Sequence, residues 1–238
     1  KLKKQLKMIL VLNFGGQYCH LIARRVRDLG VYSEVKPCDI SLKEIGKLKP
    51  DGIILSGGPA SVYEHSAPIM DRKILGIGIP ILGICYGLQL IAKFVGGEVL
   101  NGKLKEFGKK DLHVKHSGKL LKGLAKKETV WMSHGDLVAK LPKDFEVLAS
   151  TDSCPIAAFE NNEKKVYGIQ FHAEVVHTPK GNEILKNFIF DICKAKKDWY
   201  IKDLSKKLVR EMKKEIGNNS VIMGVSGGVD STVASTLL

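Results

Sequence analysis

Residues 79–97 read IPILGICYGLQLIAKFVGG, and the hydrophobic pattern changes at Cys85, near the middle of this stretch. The residues before Cys85 are almost all apolar, which is typical of a central strand covered on both faces. The residues after it have the spacing of a largely buried helix, and Gly96 and Gly97 fit its end. A strand that leads at once into a helix is the repeating unit of a parallel sheet flanked by helices.

The same alternation precedes this stretch. Short apolar runs predict three more strands: MILVLNF (8–14), VYSEVKP (31–37) and DGIILSGG (51–58). The apolar residues from Leu21 to Leu29 have helical spacing, and Gly30 is expected to end that helix. The sequence therefore predicts an α/β fold with an open, mostly parallel twisted sheet flanked by helices.

From about residue 98 the pattern changes to short alternating segments, which predict an added antiparallel part. The segments are TVWMS (129–133), FEVLAS (145–150), PIAAFE (155–160) and VYGIQFH (166–172). NNEKK between the last two fits a hairpin loop, and a helix is expected from about 179 to 195.

A break follows near KAKKDW (194–199), and the pattern beyond it predicts a helix over 201–216 and a strand over 220–225. We expect residues 1–195 to form one domain. Residues 196–238 are expected to form a linker helix with the truncated start of a second α/β domain, because they are too few for a domain of the usual ~100–200 residues. The chain lacks an initiator Met, so both ends are expected to be those of a fragment.

The composition argues against several classes of protein. Hydrophobic residues are 44% of the chain, charged residues are 26%, and no apolar run approaches the ~20 residues that cross a bilayer. We therefore expect a cytoplasmic protein with no membrane partner. Five scattered cysteines without a C-x-x-C pair argue against disulfides and a zinc site, so no metal is expected. The net charge of +13 is interpreted as a lysine-rich solvated surface, with nucleic-acid binding as the alternative.

The segment Gly83-Ile84-Cys85-Tyr86-Gly87 lies at the predicted junction between strand and helix. Flanking glycines allow a sharp turn that exposes the thiol, and a helix N-terminus favours its thiolate form. The backbone N–H of Tyr86 is then free to face an oxyanion. The alternative is a small buried cysteine packed at the end of a strand.

His172 and Glu174 are candidate partners of Cys85. Residues two apart on an extended chain point to one side, so the Glu174 carboxylate can orient the His172 ring and leave its other nitrogen for the thiol. Alone, such a pair is more often a surface ion pair. The turn Ser56-Gly57-Gly58-Pro59 ends the neighbouring strand, and Gly58 is the preferred second oxyanion donor, although an ordinary turn is the alternative.

Together these residues resemble the class I, triad-type glutamine amidotransferases, whose fold is flavodoxin-like. The stretches ARRVRDLGVYSE, MSHGD, EVVHTPKG and SGGVDST narrow the resemblance to the GMP synthetase family. The similar stretches cover the chain nearly end to end.

The resemblance implies a role for each matched residue. Cys85 would attack the glutamine carboxamide, His172 would protonate the departing ammonia, and Gly58 and Tyr86 would bind the oxyanion. Gln89 would hold glutamine, and the Ser133–Asp136 loop would border its site through His134, Gly135 and Asp136, with a merely structural His134 as the alternative. The glutaminase half-reaction would need no cofactor.

The segment Ser226-Gly227-Gly228-Val229-Asp230-Ser231 resembles the pyrophosphate loop of the N-type ATP pyrophosphatases. Glycines expose backbone N–H groups ahead of a helix, which suits phosphate. The resemblance implies that the complete enzyme uses ATP and Mg²⁺ to adenylate XMP, that ammonia then yields GMP, and that the enzyme is a homodimer. This chain alone is expected to be only a glutaminase that depends on the rest of the synthetase domain.

Two positions depart from the pattern of the resembled family. Ala173 stands where Pro is common, which leaves the His172–Glu174 geometry in doubt, and Asn13 stands where Asp is frequent.

Two other functions remain open on the sequence alone. A glutaminase subunit of another synthase would leave SGGVDST unexplained, and a catalytically silent binding module would tolerate loss of the Cys85 thiol.

Overall fold

The computed structural model describes residues 7–238, except for the side chains of residues 102–104 and 201–204. The chain divides into two compact units, one ending at Lys197 and the other covering Asp198–Leu238. In the described part of the chain, no helix is long and apolar enough to cross a membrane.

The first unit contains a nine-stranded sheet within its described residues. In chain order the strands are β1 (Met8–Asn13), β2 (Tyr32–Pro37), β3 (Gly52–Leu55), β4 (Ile81–Ile84), β5 (Glu98–Val114), β6 (Lys127–Lys140), β7 (Glu146–Ser150), β8 (Ala158–Asn161) and β9 (Val166–Ile169). The order across the sheet is β2-β1-β3-β4-β9-β8-β7-β5-β6. The pairs from β2 to β9 are parallel and the remaining pairs are antiparallel. The predicted α/β class is confirmed, and the antiparallel part continues the same sheet.

Helices cover both faces of the sheet. They are α1 (Cys19–Asp28), α2 (Leu42–Leu48), a short 3₁₀ helix (Arg72–Gly76), α3 (Tyr86–Phe94) and α4 (Gly181–Lys186), which continues as a π-helical turn (Asn187–Ile192). Alternate residues of β1 enter two separate cores. Ile9 and Val11 pack with α1 and the π-helical turn, whereas Leu10 and Leu12 pack with α2 and α3.

Three described elements of the first unit were not anticipated: α2, the short 3₁₀ helix and β5. The helix α2 begins at a capping box, in which the Ser41 side chain accepts the Glu44 N–H and the Glu44 carboxylate accepts the Ser41 N–H. This Ser-x-x-Glu spacing is a recognisable helix start. In the long strand β5 Glu106 is buried and Phe107 is exposed, the reverse of the usual pattern, which conceals its alternation.

The second unit contains α5 (Ile201–Ile216) and α6 (Val229–Leu237). The predicted strand over 220–225 is wrong: these residues form no strand, and Ile222 is fully exposed. A strand needs a neighbouring strand for its backbone hydrogen bonds, and the structure describes no strand within residues 198–238. The helix that was predicted to follow the glycine-rich loop is present as α6.

Candidate active site

Cys85 occupies the turn between β4 and α3. Its backbone adopts φ +53° and ψ −107°, a conformation that non-glycine residues rarely adopt. The Cys85 N–H donates to the Ile169 carbonyl at 2.8 Å, and its carbonyl accepts the Gln89 N–H at 3.2 Å. The strained turn is therefore held from both sides, which is the arrangement that the sequence predicts for a nucleophile.

Two glycines allow this turn to pack tightly. A Cβ added to Gly83 would lie 2.5 Å from the backbone carbon of Gly87, and a Cβ added to Gly87 would lie 2.6 Å from the Leu55 carbonyl oxygen. The start of α3 therefore rests directly on the backbones of β4 and β3. This contact presents the thiol at the carboxyl ends of the parallel strands.

His172 and Glu174 form a buried pair beside Cys85. The His172 Nδ1 lies 2.7 Å from Glu174 Oε1, which leaves Nε2 for the thiol. Burial alone lowers the pKa of His172, but the side chains of Cys85 and Glu174 outweigh it and raise that pKa to about 10. The imidazolium form is therefore favoured while the thiolate and the carboxylate flank it.

Three hydrogen bonds hold the segment that carries this pair. The His172 N–H donates to the Trp131 carbonyl at 3.0 Å, the His172 carbonyl accepts the Thr178 hydroxyl at 2.6 Å, and the Glu174 carbonyl accepts Arg25 Nε at 2.9 Å. None of them needs a proline at position 173. Asn13 is the other residue that departs from the family pattern. Its Oδ1 accepts the Gly15 N–H at 2.8 Å, as an aspartate oxygen also can.

A cavity of about 560 Å³ opens in front of Cys85. Its walls come from the ends of β1, β3 and β4 and from β5 and β6. They include Gly15, Gly16, Gly57, Gly58, Cys85, Gln89, Asn101, Ser133, His134, Gly135, Asp136 and His172. In the sheet β2 lies on one side of β1 and β3 lies on the other, so the strand order reverses at β1. Open α/β sheets bind ligands in the crevice at such a switch point.

Of the two predicted oxyanion donors, Gly58 lines this cavity, and Tyr86 directly follows Cys85, which also lines it. Ser56 Oγ donates to the Gly57 carbonyl at 2.8 Å, and the planar trans peptide then directs the Gly58 N–H the opposite way. Tyr86 is the first residue of α3, so its N–H has no acceptor one turn earlier in the helix. The Tyr86 hydroxyl is occupied elsewhere, since it donates to the Pro68 carbonyl at 2.6 Å.

Residues 133–136 were predicted as a loop, which is wrong, because they lie within β6, where Ser133, His134 and Asp136 pair with β5. Asp136 Oδ1 accepts Asn101 Nδ2 at 3.1 Å, whereas the buried Oδ2 has no hydrogen-bond partner. The Asp136 carbonyl accepts Gln89 Nε2 at 2.7 Å. Asp136 thus lines the cavity and has one buried carboxylate oxygen without a hydrogen-bond partner.

His134 is braced inside the protein. Its Nδ1 lies 2.9 Å from the Asp136 carbonyl and its Nε2 lies 3.0 Å from Glu106 Oε2, so neither ring nitrogen is left for a ligand. Burial lowers the pKa of His134, although the Glu106 charge opposes this. Glu106 also accepts the hydroxyls of Thr151 at 2.8 Å and Ser153 at 2.7 Å. His134 therefore fixes the backbone of β6, and the structural interpretation is the better supported of the two that the sequence left open.

Glu106, His134 and Cys154 form a second buried cluster, and their ligand atoms lie within 4.8 Å of one another. Such a set could bind a metal ion or act as a second Cys-His-Glu triad. The Cys154 thiol donates to the Ile156 carbonyl at 3.5 Å, and burial raises its pKa to about 12. All three side chains thus have partners within the protein, and Cys154 does not line the cavity.

The glycine-rich loop of the second unit leads into α6. Gly228 caps the helix, Gly227 has φ +81°, and Ser231 Oγ donates to the Gly228 carbonyl at 3.0 Å. Ser226 Oγ lies 3.2 Å from Ser231 Oγ, and Asp230 lies in the first turn. Exposed N–H groups at a helix N-terminus fit a phosphate, so these residues suit the pyrophosphate role that the sequence predicts.

Comparison with known proteins gives the family. The class-I glutamine amidotransferase family matches residues 10–192, and the chain belongs to this family. Curated proteins named GMP synthase [glutamine-hydrolyzing] are 52% identical over 234 residues in Caldicellulosiruptor saccharolyticus and 51% identical over 233 residues in Aquifex aeolicus. Each match covers 98% of this chain and 46% of the relative, so the chain spans about half the length of these relatives.

Solved structures agree with this assignment. A crystal structure of a proposed GMP synthase subunit from Thermoplasma acidophilum is 37% identical, with a TM-score of 0.70, and the match covers 81% of this chain and 96% of that one. A glutamine amidotransferase from Thermotoga maritima shares the fold at 20% identity, with a TM-score of 0.58, over 88% of this chain and 92% of that one. The resemblance to the GMP synthetase family is thereby confirmed.

Proposed function

We propose that this chain hydrolyses glutamine at Cys85 and that the complete protein uses the ammonia to aminate XMP to GMP. The main support is the geometry of three groups: a thiol on a strained turn, a histidine beside it and a carboxylate 2.7 Å behind the histidine. Cys85 and His172 line a cavity of a class-I glutamine amidotransferase fold, and Glu174 lies behind the histidine. The names of the curated relatives support the particular product.

Glutamine fits the cavity by charge. Asp136 lines the cavity with a carboxylate that would pair with the α-ammonium group, and Gln89 on the same wall would contact the amino-acid end of the substrate. His134 acts indirectly, by holding the Asp136 backbone. Gly135, beside Asp136, has no side chain to obstruct the substrate.

The chemistry divides into two halves. The Cys85 thiolate attacks the carboxamide carbon, and the N–H groups of Gly58 and Tyr86 stabilise the oxyanion that forms. His172 donates its proton to the departing nitrogen, so that ammonia leaves and a thioester remains. Water then attacks the thioester as His172 takes a proton from it, which releases glutamate and restores the thiolate. Glu174 keeps the imidazole oriented throughout.

The second Cys-His-Glu cluster is the rival site. Cys154 is fully buried and donates its thiol hydrogen to a carbonyl, whereas Cys85 lines the cavity. Nucleophilic cysteines need access and a favoured thiolate. Cys85 lines the cavity beside His172, whereas Cys154 lacks this access and burial raises its pKa to about 12.

The remaining proposals concern the complete protein. Ser226, Gly227, Gly228, Val229, Asp230 and Ser231 would hold the pyrophosphate of ATP. ATP with Mg²⁺ would activate XMP for attack by ammonia. We further propose that the complete protein is a cytoplasmic homodimer. For the chain itself, the net charge of +13 is interpreted as a solvated lysine-rich surface.

A glutamine analogue with a diazoketone in place of the carboxamide tests the site directly. We expect it to alkylate Cys85, as read from peptide masses, and we expect excess glutamine to protect the thiol. Asp136→Asn should slow labelling by about ten- to a hundredfold, because a hydrogen bond to a charged group contributes about 1.5–3 kcal/mol. Cys38→Ser is the matched control, since Cys38 is the one cysteine that is not buried. Labelling of Cys154 instead would transfer the function to the rival cluster.

A further inference from the structure

Gln170 is a fully buried polar residue that no part of the mechanism above uses. It follows the last residue of β9 and lies two residues before His172. Its backbone N–H donates to the Ala157 carbonyl at 2.8 Å, which fixes the main chain. Its side chain reaches the nucleophile, since Nε2 lies 3.8 Å from Cys85 Sγ.

The orientation of the Gln170 amide follows from its neighbours. The Asp136 backbone carbonyl can only accept a hydrogen bond, so the Gln89 atom 2.7 Å away must be the amide nitrogen. That nitrogen lies 3.4 Å from the Gln170 side chain and meets its oxygen. The other end of the Gln170 amide, which faces the sulfur, is therefore the N–H donor.

Cys85 Sγ has a hydrogen-bond acceptor on one side and a hydrogen-bond donor on the other. The Ser133 carbonyl lies 3.6 Å from Sγ and can accept a hydrogen bond from the neutral thiol. Once the thiol ionises, that carbonyl repels the negative charge, whereas a donor stabilises it. The Gln170 N–H is such a donor, and it approaches from β9 rather than from the histidine.

We propose that Gln170 donates a hydrogen bond to the Cys85 thiolate and that Gln89 and the Asp136 carbonyl hold its amide in the donating orientation. The inference rests on the proposed role of Cys85. The proposed contacts connect Asp136, which would bind the ammonium group of the substrate, to the Cys85 sulfur through the side chains of Gln89 and Gln170. Any shift of Asp136 would therefore change the reactivity of the sulfur.

The charged groups around Cys85 stay the same when Gln170 is replaced. His172, with Glu174 behind it, is one charged pair, and the other is Glu106 on β5 with His134 on β6. Cys154 belongs to that second cluster. A change seen on replacing Gln170 would therefore report the amide itself.

The test is the rate at which iodoacetamide alkylates Cys85 as a function of pH, read from peptide masses in a Cys38→Ser background. Gln170→Leu removes the donor and nearly keeps the volume, so the midpoint of the curve should move up by about one pH unit. Gln170→Glu places an acceptor against the sulfur and should move it further. Asn161→Leu is the control: it removes a buried amide that bonds to Asp144, away from the cavity, and should leave the midpoint unchanged.

An unchanged midpoint in folded Gln170→Leu or Gln170→Glu overturns the proposal. Glu is close to Gln in size, so Gln170→Glu remains informative if Gln170→Leu does not fold. A failure of the proposed function would look different. Glutamate release would then be insensitive to Cys85→Ser, while the alkylation curve would still report the contact between Gln170 and the sulfur.

Discussion

Glu106, on β5, connects the cavity wall that contains His134 and Asp136 to the rest of the protein. Its carboxylate accepts two hydroxyl groups and the His134 ring, and each of these bonds is shorter than or equal to 3.0 Å. Removing a charge from such a network leaves polar groups poorly satisfied. The effect should reach Asp136, whose carbonyl the same histidine holds.

We therefore predict that Glu106→Gln raises the KM for glutamine about tenfold and changes kcat less than about threefold, since an ionic hydrogen bond contributes about 1.5–3 kcal/mol. Steady-state kinetics would measure both quantities. Glu98→Gln is the matched control, because Glu98 lies on the same strand and pairs with Lys140 at the surface. A fall in kcat at constant KM would place Glu106 in the chemical step and contradict this account.

At the scale of elements, the position of the thiol depends on how closely α3 lies against the sheet. Gly87→Ala would place a methyl group 2.6 Å from the Leu55 carbonyl oxygen and 2.7 Å from the Leu55 Cβ. Because the carbonyl belongs to the backbone of β3, the helix would have to shift.

We expect Gly87→Ala to lower the free energy of unfolding by about 1–3 kcal/mol, the usual cost of overpacking, and to reduce labelling of Cys85. Urea denaturation and peptide masses would measure these effects. Gly46→Ala in α2 is the control, since a Cβ there meets nothing within 4 Å. That change should be neutral or stabilise by up to about 1 kcal/mol. Equal stability of Gly87→Ala and the parent would show that the close packing is not needed.

Local signals in the sequence predicted most strands and helices of the first unit, although the capping box that starts α2 was missed. The change of pattern at Cys85 located the turn, and the spacing of His172 and Glu174 allowed their contact. The contact between His134 and Glu106 could not be predicted from the sequence, because the two residues are 28 positions apart and are brought together only by the pairing of β5 with β6. Gln170 likewise contacts Gln89, 81 positions away, across the fold. Residues 133–136 contain a glycine and polar side chains, so they resembled a loop until strand pairing was known.

At the scale of the whole molecule, one sheet combines two parts of the proposed site. Its parallel half supplies the turn with Cys85 and the glycine-rich ends of β1 and β3, and its antiparallel half supplies the wall with Asp136. The proposed glutaminase site lies within residues 10–192, the part that the family matches. We propose a domain boundary near residues 195–196. The segment 196–238 would then contribute a linker helix and the phosphate loop of a synthetase domain.

The most direct measurement is glutamate release from glutamine by the 238-residue chain, compared with its Cys85→Ser and Cys38→Ser variants. This account predicts that Cys38→Ser keeps the activity of the parent and that Cys85→Ser loses it to the level of the uncatalysed reaction. Release that persists in folded Cys85→Ser, or that disappears in Cys154→Ser alone, would contradict the assignment of Cys85 as the nucleophile.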